Sequence, residues 1–119
     1  MNTLTPAVQP PTENRPIVVA LCGDPRFYDY MLDAAGGLSA KGVIVLMPHF
    51  VISPDQHTNT VTARSEELNR HRIDMADQIV VVTDTVLHCN LATRHEVRYA
   101  IGQGKGVNWS VCLAPTGAA

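Results

Sequence analysis

The chain alternates short apolar runs with longer segments in which apolar and polar positions follow a helical period. The runs are Ile17–Leu21, Val43–Met47, Gln78–Val82, which begins with a polar residue, and Val107–Leu113, which Asn108 and Ser110 interrupt. Continuous runs of this length, rich in β-branched residues, are typical of strands buried on both faces of a parallel sheet. The pattern therefore predicts four strands.

Three helices are predicted between the strands. Apolar spacings of three and four predict one helix over Phe27–Ala40, a second over about Val61–Ala76 and a third that ends near Gln103. The side chains expected to face the sheet are Phe27, Met31, Leu32, Ala35 and Leu38, then Leu68, Arg72, Met75 and Ala76, then Val97, Ala100 and Ile101. The segment Pro48–Thr60 is predicted to be a loop, and loops of this length are usually functional or flexible.

Strands that alternate with helices predict right-handed crossovers and a parallel sheet covered on both faces. We expect the strand order 2-1-3-4. Ligands of such sheets bind outside the carboxyl ends of the strands, at the point where the strand order reverses. That point lies between the first and third strands, where Cys22–Arg26, Thr83–Asn90 and the start of the helix carrying Glu96 should meet.

Composition narrows the class of protein. The 119 residues, 45% hydrophobic and 17% charged, predict one globular domain over 17–113, with tails at 1–16 and 114–119. A net charge of -2 gives no basic surface for polymeric nucleic acid. Three cysteines without a C-x-x-C pair favour reduced thiols in the cytoplasm. We expect no targeting segment, and no apolar stretch approaches the roughly 20 residues that cross a membrane.

The loop after the first strand, Cys22-Gly23-Asp24-Pro25-Arg26, is the first candidate site. Gly23 would let backbone N–H groups approach an anion at the following helix start, and Arg26 would pair with a phosphate or carboxylate. The alternative is structural: Gly23 and Pro25 are ordinary turn residues, and Asp24 caps the helix. A single glycine loop does not decide between these interpretations.

Glu96 is the second candidate, because a carboxylate at the predicted cleft can attack an anomeric carbon and form a glycosyl-enzyme intermediate. Its alternative is also structural, since Thr93-x-x-Glu96 is a capping-box pattern in which Glu96 would bond to the backbone. Asp84, directly after the third strand, is a candidate acid or orienting group. Asp74 is a further candidate that either reaches the cleft or faces solvent, whereas Asp77 is expected to join the helix to the strand.

The remaining polar residues give weaker signals. The five histidines have no metal-ligand spacing, so we expect no metal site. The arginines of the last two helices are expected to form solvated helix faces or a subunit contact; they are Arg64, Arg70, Arg72, Arg94 and Arg98.

With these segments in place, the chain resembles the nucleoside 2-deoxyribosyltransferase superfamily, which includes 2-deoxynucleoside 5-monophosphate N-glycosidases and small phage and bacterial relatives. Val19–Phe27 is similar to the family's first strand and its Cys-Gly-x-x-Arg type loop. Ile73–Val82 is similar to the helix that ends in Ala-Asp before the third strand. Thr93–Val107 follows the pattern of Glu, then Ala, then Gly-Lys. The resemblance spans about Ile17 to Val111.

The resemblance implies a flavodoxin-like (Rossmann-like) three-layer α/β sandwich with a four- to five-stranded parallel sheet, a homodimer or larger homo-oligomer, and no cofactor. Glu96 matches the nucleophile that attacks C1′ of a 2-deoxynucleoside, after which deoxyribose passes to another base or to water. Asn90 stands where the transferases often carry an aspartate. The residues implied to bind substrate are Cys22, Gly23, Asp24, Arg26, Phe27, Asn90 and Thr93. A nucleoside transferase, a nucleoside 5-monophosphate hydrolase and a non-catalytic nucleotide-binding module all fit this pattern.

Overall fold

A computed structural model describes residues 15–48, 59–84 and 89–112. The elements in chain order are β1 (Val18–Gly23), a short 3-10 helix (Pro25–Phe27), α1 (Tyr28–Ala40), β2 (Ile44–Leu46), α2 (Asn59–Met75), β3 (Gln78–Thr83), α3 (Leu91–Gly102) and β4 (Gly106–Val111). The predictions for the two tails and for most of the loop after the second strand lie outside the described residues, except for Arg15 and Pro16.

The four strands form one parallel sheet in the order β2-β1-β3-β4, which confirms the predicted topology. β1 and β3 lie at the centre, with Leu21 opposite Val80, and β3 pairs with β4 through Val81 and Trp109. The strand order reverses between β1 and β3. The expected binding site therefore lies at the carboxyl ends of these two central strands.

The sheet separates two hydrophobic cores, which makes the domain a three-layer structure. One core packs Val19 and Leu21 of β1 against Met31 and Leu38 of α1. The other packs the alternate β1 residues against α2 and α3; its buried members are Ala20, Cys22, Ile73, Ala76, Ile79, Val81 and Ala100. Because side chains alternate along a strand, Cys22 points toward the layer of α2 and α3.

Several predicted core positions are wrong. Four apolar side chains expected to face the sheet are 46–67% exposed; these are Leu32, Leu68, Met75 and Ile101. Consecutive helix positions differ by about 100°, so each lies one step away from a buried neighbour. The second strand was expected to be fully buried, yet Ile44 is 47% exposed because β2 is an edge strand.

The inner face of α2 is more polar than its apolar pattern predicted. Its buried members are Ser65, Asn69, Arg72 and Ile73, followed by Ala76. Arg72 is 8% exposed, so the prediction that it lies on a solvated helix face is wrong, whereas its predicted inward orientation is confirmed. A buried arginine requires partners that compensate for its lost hydration, and these partners define the candidate site described below.

Asp77 joins α2 to β3, as predicted. Its Oδ2 accepts a hydrogen bond from the Val18 backbone N–H at 2.8 Å, and its carboxylate pairs with Arg15. The Arg15 hydrogen bond holds the pKa of Asp77 below its ordinary value. Within the three described ranges, none of the helices combines the length and apolar character that crossing a bilayer requires.

Candidate active site

The described parts of the segments expected at the reversal of strand order lie together in the structure. Asn90 Nδ2 donates a hydrogen bond to Asp24 Oδ2 at 3.1 Å, which ties the loop before α3 to the loop after β1. A narrow crevice, with no enclosed space for a water molecule, lies at this junction. We call it the switch-point crevice; it is lined by Gly23, Asp24, Phe27, Val82, Thr83, Cys89, Asn90 and Thr93.

Asn90 is the N-cap of α3, because its Oδ1 accepts a hydrogen bond from the Thr93 backbone N–H at 2.8 Å. The alternative interpretation of Thr93 and Glu96 as a capping box is therefore wrong: the helix begins at Leu91, and Glu96 lies in its second turn. Thr93 itself is 2% exposed, and its Oγ1 has no hydrogen-bond partner within the described ranges. The Glu96 side chain therefore does not cap the helix.

The Glu96 carboxylate lies against β1 and α2 instead. Its Oε2 is 3.8 Å from Arg72 Nη2, and the Cys22 thiol donates a hydrogen bond to the carboxylate. The Glu96 side chain is 17% exposed. Burial raises its pKa above the ordinary value, while the Arg72 charge and the Cys22 hydrogen bond oppose that rise.

Arg72 connects this carboxylate to the sheet. Its Nη1 donates hydrogen bonds to the backbone carbonyls of Leu21 in β1 and, at 3.3 Å, Leu46 in β2. Its Nε donates to Asn69 Oδ1 at 3.2 Å. The guanidinium is therefore fixed by two strands and by its own helix, with its Nη2 directed toward Glu96 and Cys22.

Cys22 is fully buried between these two charged groups. Burial, together with the neighbouring Glu96 charge, raises the pKa of the thiol to about 12. The thiol therefore stays protonated at neutral pH and acts as a hydrogen-bond donor to Glu96. It is not a thiolate nucleophile, because thiolate character requires a lowered pKa.

A surface pocket between α2 and α3 reaches the Glu96 carboxylate. It holds about 450 Å³ of empty space, including solvent at its mouth. We call it the Glu96 pocket; its lining is Glu66, Asn69, Arg70, Ala92, His95 and Glu96. Its enclosed volume is only about 100 Å³, which is smaller than the range of about 300–1,000 Å³ that is usual for small-molecule sites.

The loop after β1 has mainly structural contacts. Asp24 caps the short helix by accepting a hydrogen bond from the Arg26 backbone N–H at 3.0 Å. The Arg26 side chain is 59% exposed and lies over the buried Phe27 ring, 4.7 Å from its centroid. Gly23 ends β1, where an added Cβ would lie 2.5 Å from the Val82 carbonyl oxygen.

Two predicted acidic residues lie apart from Glu96. Asp84 is exposed directly after β3 and does not line the Glu96 pocket. Asp74 lies near the end of α2, just before the start of β3. It is therefore at the amino-terminal end of the strands, opposite the expected binding site. It accepts a hydrogen bond from the Tyr99 hydroxyl at 2.6 Å. Asp74 is exposed, which agrees with the solvent alternative.

Sequence reasoning placed Arg72 on the inner face of α2, but it did not connect Arg72 or Glu66 with Glu96. Glu66, Asn69 and Arg72 follow one another at intervals of three, which places them on neighbouring positions of one helical face. Polar residues at this spacing, on the same face as the buried Ile73 and Ala76, are the signal that identifies a site-lining helix.

No protein-family model matches the chain, and no curated protein matches it. A solved structure of a 2-desoxiribosyltransferase from Leishmania mexicana matches it with a TM-score of 0.54 and 16% sequence identity. The two proteins share a fold. The match covers 79% of this chain and 63% of the other, so the chain spans less than two thirds of that enzyme's length. The predicted Rossmann-like α/β class is confirmed.

Proposed function

We propose that the chain is a nucleoside deoxyribosyltransferase-like enzyme that uses Glu96 as its nucleophile. The observation that supports this most strongly is a largely buried carboxylate that lines a surface pocket and lies beside a fixed arginine. The fold shared with a 2-desoxiribosyltransferase supports the same reaction class.

The reaction proceeds in two displacements. A Glu96 carboxylate oxygen attacks C1′ of a 2-deoxynucleoside, the C1′–N bond breaks, and its electron pair leaves with the base. The departing base takes up a proton, for which His95 and Glu66 of the Glu96 pocket are the candidate donors. A nitrogen of a second base then attacks C1′ of the ester and loses its proton, and the Glu96 carboxylate is released.

We propose that the residues of the switch-point crevice bind the sugar side of the substrate. Asp24, Asn90 and the unpartnered, buried Thr93 hydroxyl offer hydrogen bonds there. In this proposal Asp84, at the same edge, orients the ligand, whereas Asp74 supports α2 and α3 through Tyr99. The substrates are small nucleosides of the cytoplasm, and the enzyme works as a homo-oligomer.

The second candidate is hydrolysis of a 2-deoxynucleoside 5-monophosphate, in which water replaces the acceptor base. Arg70 in the Glu96 pocket and the exposed Arg26 at the edge of the crevice are cations that suit a phosphate. This variant uses the same Glu96 chemistry. A phosphate requirement distinguishes it from the transferase.

The test is to incubate the protein with deoxyinosine and free adenine, and separately with deoxynucleoside monophosphates, and to follow bases and nucleosides by chromatography. We expect deoxyadenosine from the first mixture. Glu96→Gln should reduce the rate by a factor of about a thousand or more, while Glu67→Gln, an exposed matched control on α2, keeps it.

Free base from monophosphates alone would favour the hydrolase. Ligand-induced thermal stabilisation without any turnover would favour a binding module. A folded Glu96→Gln protein that retains full turnover would contradict the assignment of the nucleophile.

A further inference from the structure

The Arg72 guanidinium is held more firmly than an ion pair alone requires. Its contacts come from β1, β2 and its own helix: the Leu21 and Leu46 carbonyl oxygens and Asn69 Oδ1. Backbone carbonyls of sheet strands are rigid acceptors, so they fix both the position and the plane of the guanidinium. Its remaining Nη2 edge lies 3.8 Å from Glu96 Oε2 and 3.9 Å from Cys22 Sγ.

The 3.8 Å separation has a chemical consequence. A direct charge-assisted hydrogen bond between nitrogen and carboxylate spans about 2.7–2.9 Å and occupies a lone pair of the oxygen. At 3.8 Å the Arg72 charge still favours the ionised carboxylate, because opposite charges within about 4–6 Å do so. The carboxylate oxygen nevertheless keeps its lone pairs for attack.

We propose that Arg72 is a positioning residue that keeps Glu96 ionised and directed into the Glu96 pocket, with the Cys22 thiol as a second donor to the same carboxylate. The catalytic consequence rests on the proposed function, because a carboxylate nucleophile must be ionised to attack C1′. The electrostatic part concerns Glu96 alone and does not depend on turnover.

Other charged and titratable side chains also face Glu96. Glu66 and Arg70 from α2 and His95 from α3 line the same pocket, and Cys22 approaches from β1. Glu66 adds a like charge and Arg70 an opposite one at the pocket wall. Arg72 differs from Arg70 because it is buried and contacts the carboxylate from the side of the sheet.

The test is a carboxyl ¹³C NMR titration of protein labelled at glutamate, in which the Glu96 signal is assigned by its absence in Glu96→Gln. In Arg72→Gln the pKa of Glu96 should rise by about one unit or more relative to the wild type. Arg72→Lys should give a smaller rise. Arg64→Gln, which removes an exposed cation from the same helix, is the matched control and should leave the titration unchanged.

A parallel measurement is the pH profile of kcat/KM for base exchange. At a pH below both pKa values, each unit of upward shift lowers the ionised fraction of Glu96, and therefore kcat/KM, about tenfold. The acid limb should move to higher pH in step with the NMR titration. A merely structural role for Arg72 would lower the rate without moving the limb.

Cys22 provides a second variant in case Arg72→Gln does not fold. Cys22→Ala removes the thiol donor and should raise the pKa of Glu96, whereas Cys22→Ser keeps a donor and should shift it less. A shifted titration in a protein without turnover would support the proposal and count against the proposed function. An unchanged Glu96 titration in folded Arg72→Gln, or in folded Cys22→Ala, would overturn the proposal.

Discussion

At the residue scale, Gly23 has two possible explanations, close packing in the sheet and the binding of an anion. Its residue type follows from the sheet: an added Cβ would lie 2.5 Å from the Val82 carbonyl oxygen and 2.6 Å from Met31 Cε. The carbonyl belongs to β3 and cannot move without disturbing the pairing of the two central strands. Glycine is therefore required here whether or not an anion binds nearby.

We predict that Gly23→Ala lowers the free energy of unfolding by about 1–3 kcal/mol, because overpacking against backbone displaces the strand. Gly36→Ala is the matched control: it lies in α1 with nothing within 4 Å of an added Cβ. That substitution should raise stability by about 0.5–1 kcal/mol. Urea unfolding measures both, and a neutral Gly23→Ala would contradict the close approach of β1 to β3.

At the element scale, the start of α3 depends on Asn90. Its Oδ1 caps the helix through the Thr93 N–H, and its Nδ2 reaches Asp24. The side chain therefore orients α3, and with it Glu96, relative to the loop after β1. This geometry places a capping residue six positions before the proposed nucleophile.

We predict that Asn90→Ala lowers the free energy of unfolding by about 1 kcal/mol through loss of the cap. Asn90→Ser is the matched variant, because serine keeps a capping oxygen but cannot reproduce the amide contact with Asp24. Thermal unfolding should therefore show a smaller loss for serine than for alanine. Equal losses in the two variants would show that the Asp24 contact, not the cap, stabilises this junction.

The helices and strands also show which structural features the pattern of apolar and polar residues can predict. Apolar runs rich in β-branched residues predicted the two central strands, because a central parallel strand must be apolar on both faces. The phase of α2 was predicted wrongly at Leu68 and Met75, since the pattern assumes that apolar residues face the sheet. Asn69 lies on that face together with Arg72, and carbonyl oxygens, Asn69 Oδ1 and the Glu96 carboxylate compensate the burial of Arg72.

At the scale of the whole molecule, the strand order brings segments that are distant in sequence to the carboxyl ends of the central strands. Alternation of strands and helices predicted the reversal between β1 and β3, and Asp24 and Asn90 meet there. The position of the larger pocket was not predictable, because it depends on how α2 and α3 pack against each other. Glu96 was a candidate from its place at the predicted cleft, and the family pattern favoured it, whereas the contact between Arg72 and Glu96 was found only in the structure.

The whole domain therefore places one acidic group between a rigid sheet and an open pocket. β1 supplies Cys22, α2 supplies Arg72, and α3 supplies Glu96. The most direct measurement is mass spectrometry of the protein quenched during reaction with a 2-deoxynucleoside and digested. The account predicts a deoxyribosyl ester on the peptide that carries Glu96, lost when an acceptor base is added and absent in Glu96→Gln. An ester on a different residue, or base exchange by folded Glu96→Gln at the wild-type rate, would contradict it.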